Sequence, residues 1–546
     1  MLRRVKNWWG RLAAALVVAF SLMGMVIFNA PHLSAQPATV SDDALLTAET
    51  GFTPEVIQQL LVARGSPLAE YHETLAEQTL SAAELFWIAA QHADYGLSPK
   101  ALLATLQVED GLNWPQSDGL YTHLKQIALE LQRGYQAALA PTPAADGAKS
   151  AALPGEGQTA ASYALARYLA PRAKVAGQVR ASLQDWTAAY RQLFGKDPAK
   201  EVSAKTIATN VPFMRLPFDD PPGSFFAIEA YFDHAYPGQL EEPNLLRSDG
   251  KAIPGAHYTG CWQAMSCYSG HNATDFTMPS GTPLYAVAAG RVNYRLDVEG
   301  GLVIDHANGY RSIYWHMDKI IVNWNQEVKD GQLIGWSDNR GTSSRPHLHF
   351  GLRLVALSQD VDPFGWWSSS PDPVPGPSQF MWRGGLLADN RTAQMRLFYN
   401  QYWMRDTQGY GGESWYTRAS DTAGSSTNWG MWGTTLPSAG KYTVSAYWPK
   451  NAENTTAAVY QVWHAGGMSR VVANQRADGN RFVSLGTFDF NAGPIVVILT
   501  DLTPNAPKDL RVYFDAMRWE PTERHFYVPY LRSDGSDAPP TPTFSK

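Results

Sequence analysis

Hydrophobic residues follow a helical period early in the chain and a strand-like period afterwards. Between about 43 and 205, apolar positions recur three and four residues apart, as in HLKQIALELQRGYQAAL, which predicts amphipathic α-helices. From about 213 to 368, short β-type runs such as GLVIDHANG and PHLHFGLRL lie between Gly/Pro turns. From about 386 to 521, alternating runs such as KYTVSAYW occur at spacings typical of a β-sandwich.

The pattern therefore predicts a multidomain chain. We expect an α-helical N-terminal domain, a mainly antiparallel β middle domain and a C-terminal β-sandwich. The Pro/Ser-rich stretch at 369–385 has the composition of a linker, and residues 522–546 that of a disordered tail.

The N-terminus has the pattern of an export signal. A basic segment, MLRRVKNWWGR, precedes an apolar run from Leu12 to Phe28, and small residues follow near Ala35. We interpret residues 1–35 as a signal peptide, with an uncleaved membrane anchor as the alternative. In both cases the chain beyond about residue 40 is extracytoplasmic, either secreted or associated with the cell envelope.

Composition narrows the classes of function. The 546 residues carry a net charge of −6, with 17% charged and 12% aromatic residues, which argues against disorder and against nucleic-acid binding. The chain has two cysteines, Cys261 and Cys267. In an exported protein an even number of cysteines favours a disulfide that closes a small loop.

Candidate chemistry begins with the His-x-His pair in SRPHLHFGL. On a β-strand His347 and His349 lie on one face, whereas Leu348 lies on the other. His271 and Asp275 in GHNATDF and His316 in YWHMD lie upstream.

A catalytic zinc ion takes three His or carboxylate ligands and keeps one position for water, which ionises near neutral pH. One His from each of two segments and one Asp satisfy that requirement. Two further histidines then remain for proton transfer and oxyanion stabilisation.

These segments resemble the lysostaphin/LytM-type zinc endopeptidases of bacterial cell walls. The similarity runs over about 140 residues, through HNATD, SGTPLYAVAAGRV, GGLVIDHANGYRSIYWHM and EVKDGQLIGWSDNRGTSSRPHLHF. It implies one Zn²⁺ bound by His271, Asp275 and His349. It also implies that His347 is the general base or proton shuttle, and that His316 hydrogen-bonds the oxyanion or the water.

One position departs from the family pattern. Ala273 stands where the family usually has glycine between the first two ligands. If the backbone there required a positive φ, alanine would cost about 1 kcal/mol. The remaining histidines of this region, His234, His257 and His306, are interpreted as ordinary polar residues, and Asp305 as a turn former. For His234 and His257, which flank the unit in loops, a place lining the cleft is the alternative.

The helical region contains a candidate glycosidic acid. In YGLSPKALLATLQVEDGLNWP, Ser98 and Pro99 predict a helix start and Gly111 a stop, so that Glu109 falls near the helix end. The segment resembles the helix of lytic transglycosylases that ends in a catalytic Glu. However, Asp110 replaces the family's serine, and a helical wall-binding or scaffolding unit is the favoured interpretation.

The C-terminal unit resembles the golvesin/xanthan lyase C-terminal domains, through WGTTLPSAGKYTVSAYWP, YQVWHAGG, SLGTFDF and FDAMRW. The resemblance implies a module that binds polysaccharide or has an architectural role. Trp448, on an alternating strand, is expected in the core. Trp429 and Trp432, in the Gly-rich segment NWGMWG, are expected to be exposed and to contact glycan.

Together these features predict an exported zinc metalloendopeptidase that hydrolyses peptide bonds of bacterial peptidoglycan. A metal-free, inactive peptidase fold that binds or regulates the wall is one alternative. A glycan-cleaving enzyme acting through Glu109 is another.

Overall fold

The computed structural model describes most of the chain outside its two ends. The described residues are 38–46, 52–75, 78–91, 96–114, 119–139, 159–172, 182–201, 211–235, 237, 244–254, 270–341, 343, 345–357, 359–374, 378–398, 402–420, 428–503 and 510–522. The segment 1–35, both cysteines, His257 and nearly all of 522–546 lie outside them. Within the described residues, no helix is long and apolar enough to cross a membrane.

Seven helices lie in the described part of the N-terminal region. In chain order, α1 to α7 are Asp42–Leu46, Pro54–Ala63, Ala82–Gln91, Pro99–Asp110, Leu120–Leu139, Ala160–Arg172 and Leu183–Phe194. A hairpin of β1 (His72–Leu75) and β2 (Gln78–Ser81) precedes α3, and short 3₁₀ turns occupy Pro67–Glu70 and Pro198–Lys200. Helix α7 begins with a capping box, in which Ser182 and Asp185 satisfy each other's backbone N–H groups.

The middle unit is built from thirteen strands. Strands β3 to β15 are Ile228–Ala230, Asn244–Leu246, Ala252–Pro254, Thr274–Thr277, Pro283–Tyr285, Gly290–Leu296, Gly301–Asp305, Tyr310–Trp315, Met317–Ile320, Glu327–Val328, Leu333–Ser337, His347–Leu354 and Gln359–Val361. The main sheet has the antiparallel order β12-β8-β9-β10-β14-β6-β3, and a second sheet has the order β11-β13-β7. The apolar back of the main sheet packs into one core with the second sheet.

The C-terminal unit contains two further layers and a small third sheet. Strands β16 to β27 are Leu387–Ala388, Met395–Phe398, Met404–Asp406, Ser414–Arg418, Trp429–Leu436, Gly440–Tyr447, Ala458–His464, Gly467–Ala473, Phe482–Phe490, Gly493–Thr500, Arg511–Phe514 and Met517–Pro521. One layer has the order β17-β20-β25-β22-β23 and the other β16-β27-β21-β24. Their inner faces enclose an aromatic core, so the predicted sandwich is confirmed.

The middle and C-terminal units share one 13-stranded sheet. Strand β3 pairs antiparallel with β6 and parallel with β17, where Ile228 lies opposite Phe398. Part of the stretch 369–385 also belongs to this core, because Phe380, Met381 and Trp382 are buried. The stretch predicted as a linker therefore contributes buried side chains to the core. An apolar run at the boundary between two units gains more by burial than by remaining in solvent.

The prediction of exposed tryptophans in NWGMWG is wrong. Trp429 and Trp432 are each 1% exposed, like the correctly predicted core residue Trp448. The glycines of this segment lie within β20, where Gly430 and Gly433 leave room for the rings of Phe514 and Phe380. Glycine thus marks close packing here and not a turn, so neither tryptophan is available to a glycan.

Replacing Trp429 with alanine is expected to destabilise the C-terminal unit by about 3–5 kcal/mol. The Trp429 ring stacks on Phe398 at a centroid distance of 3.6 Å, and the Arg247 guanidinium lies 4.7 Å from the same ring. A urea titration followed by tryptophan fluorescence measures the loss. The half-buried Trp403 provides the control, since its replacement by alanine should cost distinctly less. Equal losses at the two positions would contradict the packing argument.

Candidate metal centre

The His-x-His pair lies at the start of β14, on the face of the main sheet opposite to the core shared with the second sheet. Strand β14 pairs with β6, so His349 lies opposite Asp275 and His347 opposite Thr277. Cross-strand partners share a face, which brings both histidines and the carboxylate together. Leu348 is fully buried on the opposite face and anchors the strand in the apolar core.

Three side chains converge at one point. His271 Nε2 and His349 Nδ1 each lie 3.1 Å from Asp275 Oδ1, and the two nitrogens lie 3.1 Å from each other. These three residues form a group of potential metal ligands among the described residues. His271 and Asp275 are buried, and His349 is half-buried.

This arrangement fits a zinc ion. Tetrahedral ligands about 2.0–2.1 Å from Zn²⁺ are separated by about 3.3 Å, close to each of the three observed separations. Asp275 Oδ1 is buried and makes no hydrogen bond, although two imidazole nitrogens adjoin it. A buried carboxylate oxygen without a hydrogen-bond donor is costly unless a cation satisfies it.

Backbone groups hold the first ligand in place. His271 Nδ1 donates a hydrogen bond to the Tyr231 carbonyl at 2.8 Å, which leaves Nε2 for the metal. The Asp233 amide donates to the His271 carbonyl, and the Asp233 carboxylate accepts from the Gly270 amide at 2.7 Å. The segment from Tyr231 to Asp233 therefore fixes both the orientation and the tautomer of His271.

His347 and His316 stand beside the three ligands. Their rings are 4.6 Å apart, and His347 Nε2 is 3.5 Å from Asp275 Oδ2. His347 Nδ1 donates to the Arg345 carbonyl at 2.9 Å, and His316 Nδ1 donates to the Arg340 carbonyl at 2.6 Å. In the neutral tautomer, each Nε2 is therefore a proton acceptor.

His316 adopts an unusual backbone conformation. Its φ is +66°, in the left-handed region that non-glycine residues rarely occupy. The hydrogen bond from the Asp338 amide to the His316 carbonyl helps to hold this conformation. Strain of this kind costs about 1–3 kcal/mol and is concentrated at functional sites.

Electrostatics favour an ionised Asp275 and a neutral His316. Burial opposes charge on Asp275, but the imidazoles of His271 and His347 outweigh it and hold the Asp275 pKa well below its ordinary value. Burial, reinforced by His347 and His349, lowers the pKa of His316 to about 4. At neutral pH, His316 Nε2 is thus a hydrogen-bond acceptor.

Ala273 causes no backbone strain. It is absent from the non-glycine residues with positive φ in the described part of the chain, and its side chain is buried. The position therefore does not require glycine. The cost of about 1 kcal/mol considered from the sequence does not arise.

Two residues that lie near the site were not predicted from the sequence. Buried Glu229 accepts a hydrogen bond from Thr277 and forms an ion pair with Arg345, which is 38% exposed. Burial raises the pKa of Glu229, which the hydrogen bond from Thr277 and the charge of Arg345 oppose. A single Glu and a single Arg more than 100 residues apart give no spacing signal by which they could have been found.

His234 is more than an ordinary polar residue. It is fully buried, and its nitrogens lie 3.2 Å from Asp362 and 2.9 Å from Asp372. Burial opposes its charge, but these two carboxylates prevail and raise the pKa of His234 to about 9. His306, in contrast, bonds the Ala289 carbonyl and Ser312, and burial lowers its pKa. His306 is structural, as expected.

The pKa of His234 predicts a loss of stability in alkali. Because the folded pKa lies above the ordinary value of 6.5, the stabilisation is complete below pH 6.5 and disappears as the pH rises through about 9. Since burial also raises the pKa of Asp362, the net loss should be on the order of 2 kcal/mol. Urea midpoints at pH 6.5 and 9.5 measure it. A His234→Gln variant should be less stable at pH 6.5 and lack this component of the alkaline loss.

Glu109 contacts other helices of the N-terminal region. It occupies the last turn of α4, which ends at Gly111 in a left-handed conformation with φ +73°. Glu109 Oε2 lies 2.8 Å from His123 Nε2, and Oε1 accepts from the Tyr168 hydroxyl at 2.6 Å. These bonds join α4, α5 and α6. A glycosidic role for Glu109 stays a prediction.

Both β-rich units match known families of proteins. Residues 269–363 match Peptidase family M23, and residues 386–520 match the Golvesin C-terminal domain, which confirms both resemblances. The chain is 44% identical over 85 residues to the peptidoglycan DD-endopeptidase ShyA of Vibrio cholerae, covering 15% of this chain and 20% of ShyA. It is 35% identical over 111 residues to lysostaphin of Staphylococcus simulans, covering 19% and 21%.

Among solved structures, the catalytic domain of lysostaphin from Staphylococcus simulans is 31% identical. The alignment covers 18% of this chain and 79% of that one, with a TM-score of 0.16. The chain spans about a fifth of the length of the curated relatives named above.

Proposed function

We propose that this chain, whose residues 269–363 form a Peptidase family M23 domain, is an extracytoplasmic zinc endopeptidase that cleaves peptide bonds of bacterial peptidoglycan. The observation that carries the proposal is the triangle of His271 Nε2, His349 Nδ1 and Asp275 Oδ1, with 3.1 Å sides. Such a triangle leaves one side open for water or substrate.

In the proposed chemistry, one group of residues holds the metal and another group transfers the proton. A Zn²⁺ ion bound by these ligands would polarise the scissile carbonyl and acidify water. His347 Nε2, an acceptor in its neutral tautomer, takes the proton of the attacking water and returns it to the leaving amine. His316 Nε2 accepts a second hydrogen bond and so orients that water.

Arg345 is the proposed contact for the peptide itself. Its guanidinium is partly exposed beside His347 and is held by Glu229 at 3.1 Å. A guanidinium fixed in this way donates to a carbonyl or carboxylate of the substrate. The ion pair with a buried carboxylate keeps the donor in position when no substrate is bound.

The flanking units are proposed to hold the enzyme at the wall. The match to the Golvesin C-terminal domain supports contact with polysaccharide. The buried Trp429 and Trp432 are not the residues that make it. The apolar run at Leu12 to Phe28 supports export of the chain.

Digestion of purified peptidoglycan tests the proposal. The zinc-loaded protein should release fragments with new peptide termini, identified by mass spectrometry, and chelation should stop the release. New reducing or anhydro-sugar ends that Glu109→Gln abolishes would instead support the glycan-cleaving alternative. Zinc-loaded protein that cleaves no peptide bond would support the inactive, wall-binding alternative.

A further inference from the structure

A polar and aromatic cavity lies between the helical domain and the main sheet. Its volume is about 240 Å³. The start of α2, strand β2 and helix α3 form one wall, and the end of β8 and the turn at 323–324 form the other. We propose that this cavity binds one sugar ring of a peptidoglycan glycan chain. The inference rests on the proposed function for the identity of the glycan.

Two indole rings shape the cavity. Trp87 and Trp324 lie edge to face, with centroids 6.3 Å apart and an angle of 81° between planes. Both indole N–H groups donate to the same carbonyl, that of Asn293, at 3.1 Å each. This shared acceptor fixes the rings in place. Trp324 is only half-buried, so part of its surface remains available for stacking against the apolar face of a sugar.

The polar lining suits hydroxyl groups. Glu84 accepts from the Ser81 amide and hydroxyl through Oε2, and Glu55 accepts from Thr53 through Oε2. Each carboxylate is thereby oriented through one oxygen. Arg295, which also lines the cavity, is held by Asp297 at 2.7 Å.

The charge and the volume of the cavity indicate which class of ligand it binds. Arg295 is neutralised by Asp297 while Glu55 and Glu84 add negative charge, so phosphates and other anions are disfavoured. A neutral polyol donates hydrogen bonds, and the carboxylates of Glu55 and Glu84 supply the acceptors. The volume is below the 300–1,000 Å³ or so of pockets for drug-sized ligands, which suits a single ring.

The cavity and the metal centre lie on the same face of the sheet. Tyr294 of the cavity wall lies opposite Val303, Val303 opposite Ile313, and Ile313 opposite Gly351 on the strand of His349. Tyr294 lies three strand spacings away from the strand of His349. Together with the offset of His349 along that strand, this gives a distance of about 15 Å between Tyr294 and His349. An extended peptide of four to five residues spans about the same distance.

The helical domain is therefore placed to hold the glycan while the metal centre acts on the attached peptide. Contacts fix its position on that face: Arg311 Nη1 donates to Gln91 Oε1 at 3.0 Å, and Lys125 forms an ion pair with Glu299 at 2.7 Å. This assigns the helical domain a part in substrate selection. Glu109 is not required for it.

Calorimetric titration with a β-1,4-linked N-acetylglucosamine tetramer tests the inference on the full exported chain. Wild type should bind with a dissociation constant in the micromolar-to-millimolar range, and Trp324→Ala should weaken binding more than tenfold. Glu55→Gln, at an exposed position that should not affect folding, should weaken it several-fold. Trp336→Ala is the matched control, because Trp336 is equally half-buried and lies outside the cavity.

Hydrolysis of a glycan-free stem peptide separates this inference from the proposed function. Trp324→Ala should cleave that peptide as wild type does, but should show a raised KM on intact peptidoglycan. Absence of tetramer binding by wild type, or equal binding by Trp324→Ala, overturns the sugar site whether or not the peptide is cleaved. Tighter binding of the de-acetylated, cationic tetramer than of the acetylated one also overturns it.

Discussion

Replacing His349 with alanine should leave a protein that retains no zinc after dialysis and cleaves no peptidoglycan peptide. The variant keeps only His271 and Asp275 of the three ligands, and two ligands do not form a catalytic zinc site. Because a metal contributes several kcal/mol to transition-state stabilisation, the rate should fall about 10³-fold or more. Elemental analysis for zinc and mass spectrometry of the digest measure the two losses separately.

His306→Ala is the appropriate control for this experiment. His306 is buried in the same domain, but it bonds Ser312 and the Ala289 carbonyl and belongs to no group of potential metal ligands in the described residues. This variant should retain one zinc ion per chain even if it is less stable. A His349→Ala protein that holds a full equivalent of zinc and cleaves peptides at the wild-type rate would refute the assigned metal centre.

Replacing His347 with alanine should separate metal binding from catalysis. His347 Nε2 lies 3.5 Å from the outer oxygen of Asp275, outside the triangle of ligand atoms, so zinc content should remain near one per chain. The loss of the proton acceptor should lower kcat by about 10²–10⁴-fold, with a smaller effect on KM. Steady-state hydrolysis of a stem peptide, with zinc content determined on the same sample, measures both.

His316→Ala provides the comparison for His347. His316 shares the tautomer and the position beside the ligands, but its low pKa makes it a poor carrier of a proton at neutral pH. Its loss should therefore lower kcat less than the loss of His347 does. The order of the two effects is the critical result: a larger effect at His316 would reverse the roles proposed here.

The residues that form the metal centre could be predicted from the amino-acid sequence. Two histidines separated by one residue on a strand must share a face, and the apolar residue between them must face the core. The sequence therefore predicted that His347 and His349 act together. The resemblance to a known family then predicted their partners His271 and Asp275, which the structure brings within reach of a single ion.

The hydrogen bonds, ion pairs and burial around these residues could not be predicted from the sequence in the same way. The Tyr231 and Arg340 carbonyls orient His271 and His316, but a carbonyl is present at every residue and carries no sequence signal. The ion pair of Glu229 with Arg345 joins positions more than 100 residues apart. Trp429 is buried in the core that the middle and C-terminal units share, and Trp432 in the core of the sandwich, so the burial of both depends on residues far apart in the chain.

The amino-acid sequence thus determined the helical and strand-rich units of the chain and the buried face of β14, because side-chain periodicity and turn chemistry act over a few neighbouring residues. Tertiary structure alone decided which tautomer each histidine adopts, which carboxylates raise the pKa of His234, and which tryptophans meet solvent. These properties depend on distances, burial and dielectric between residues far apart in the chain. No local pattern encodes such quantities, since each arises only when the packed units exclude water from the groups they bring together.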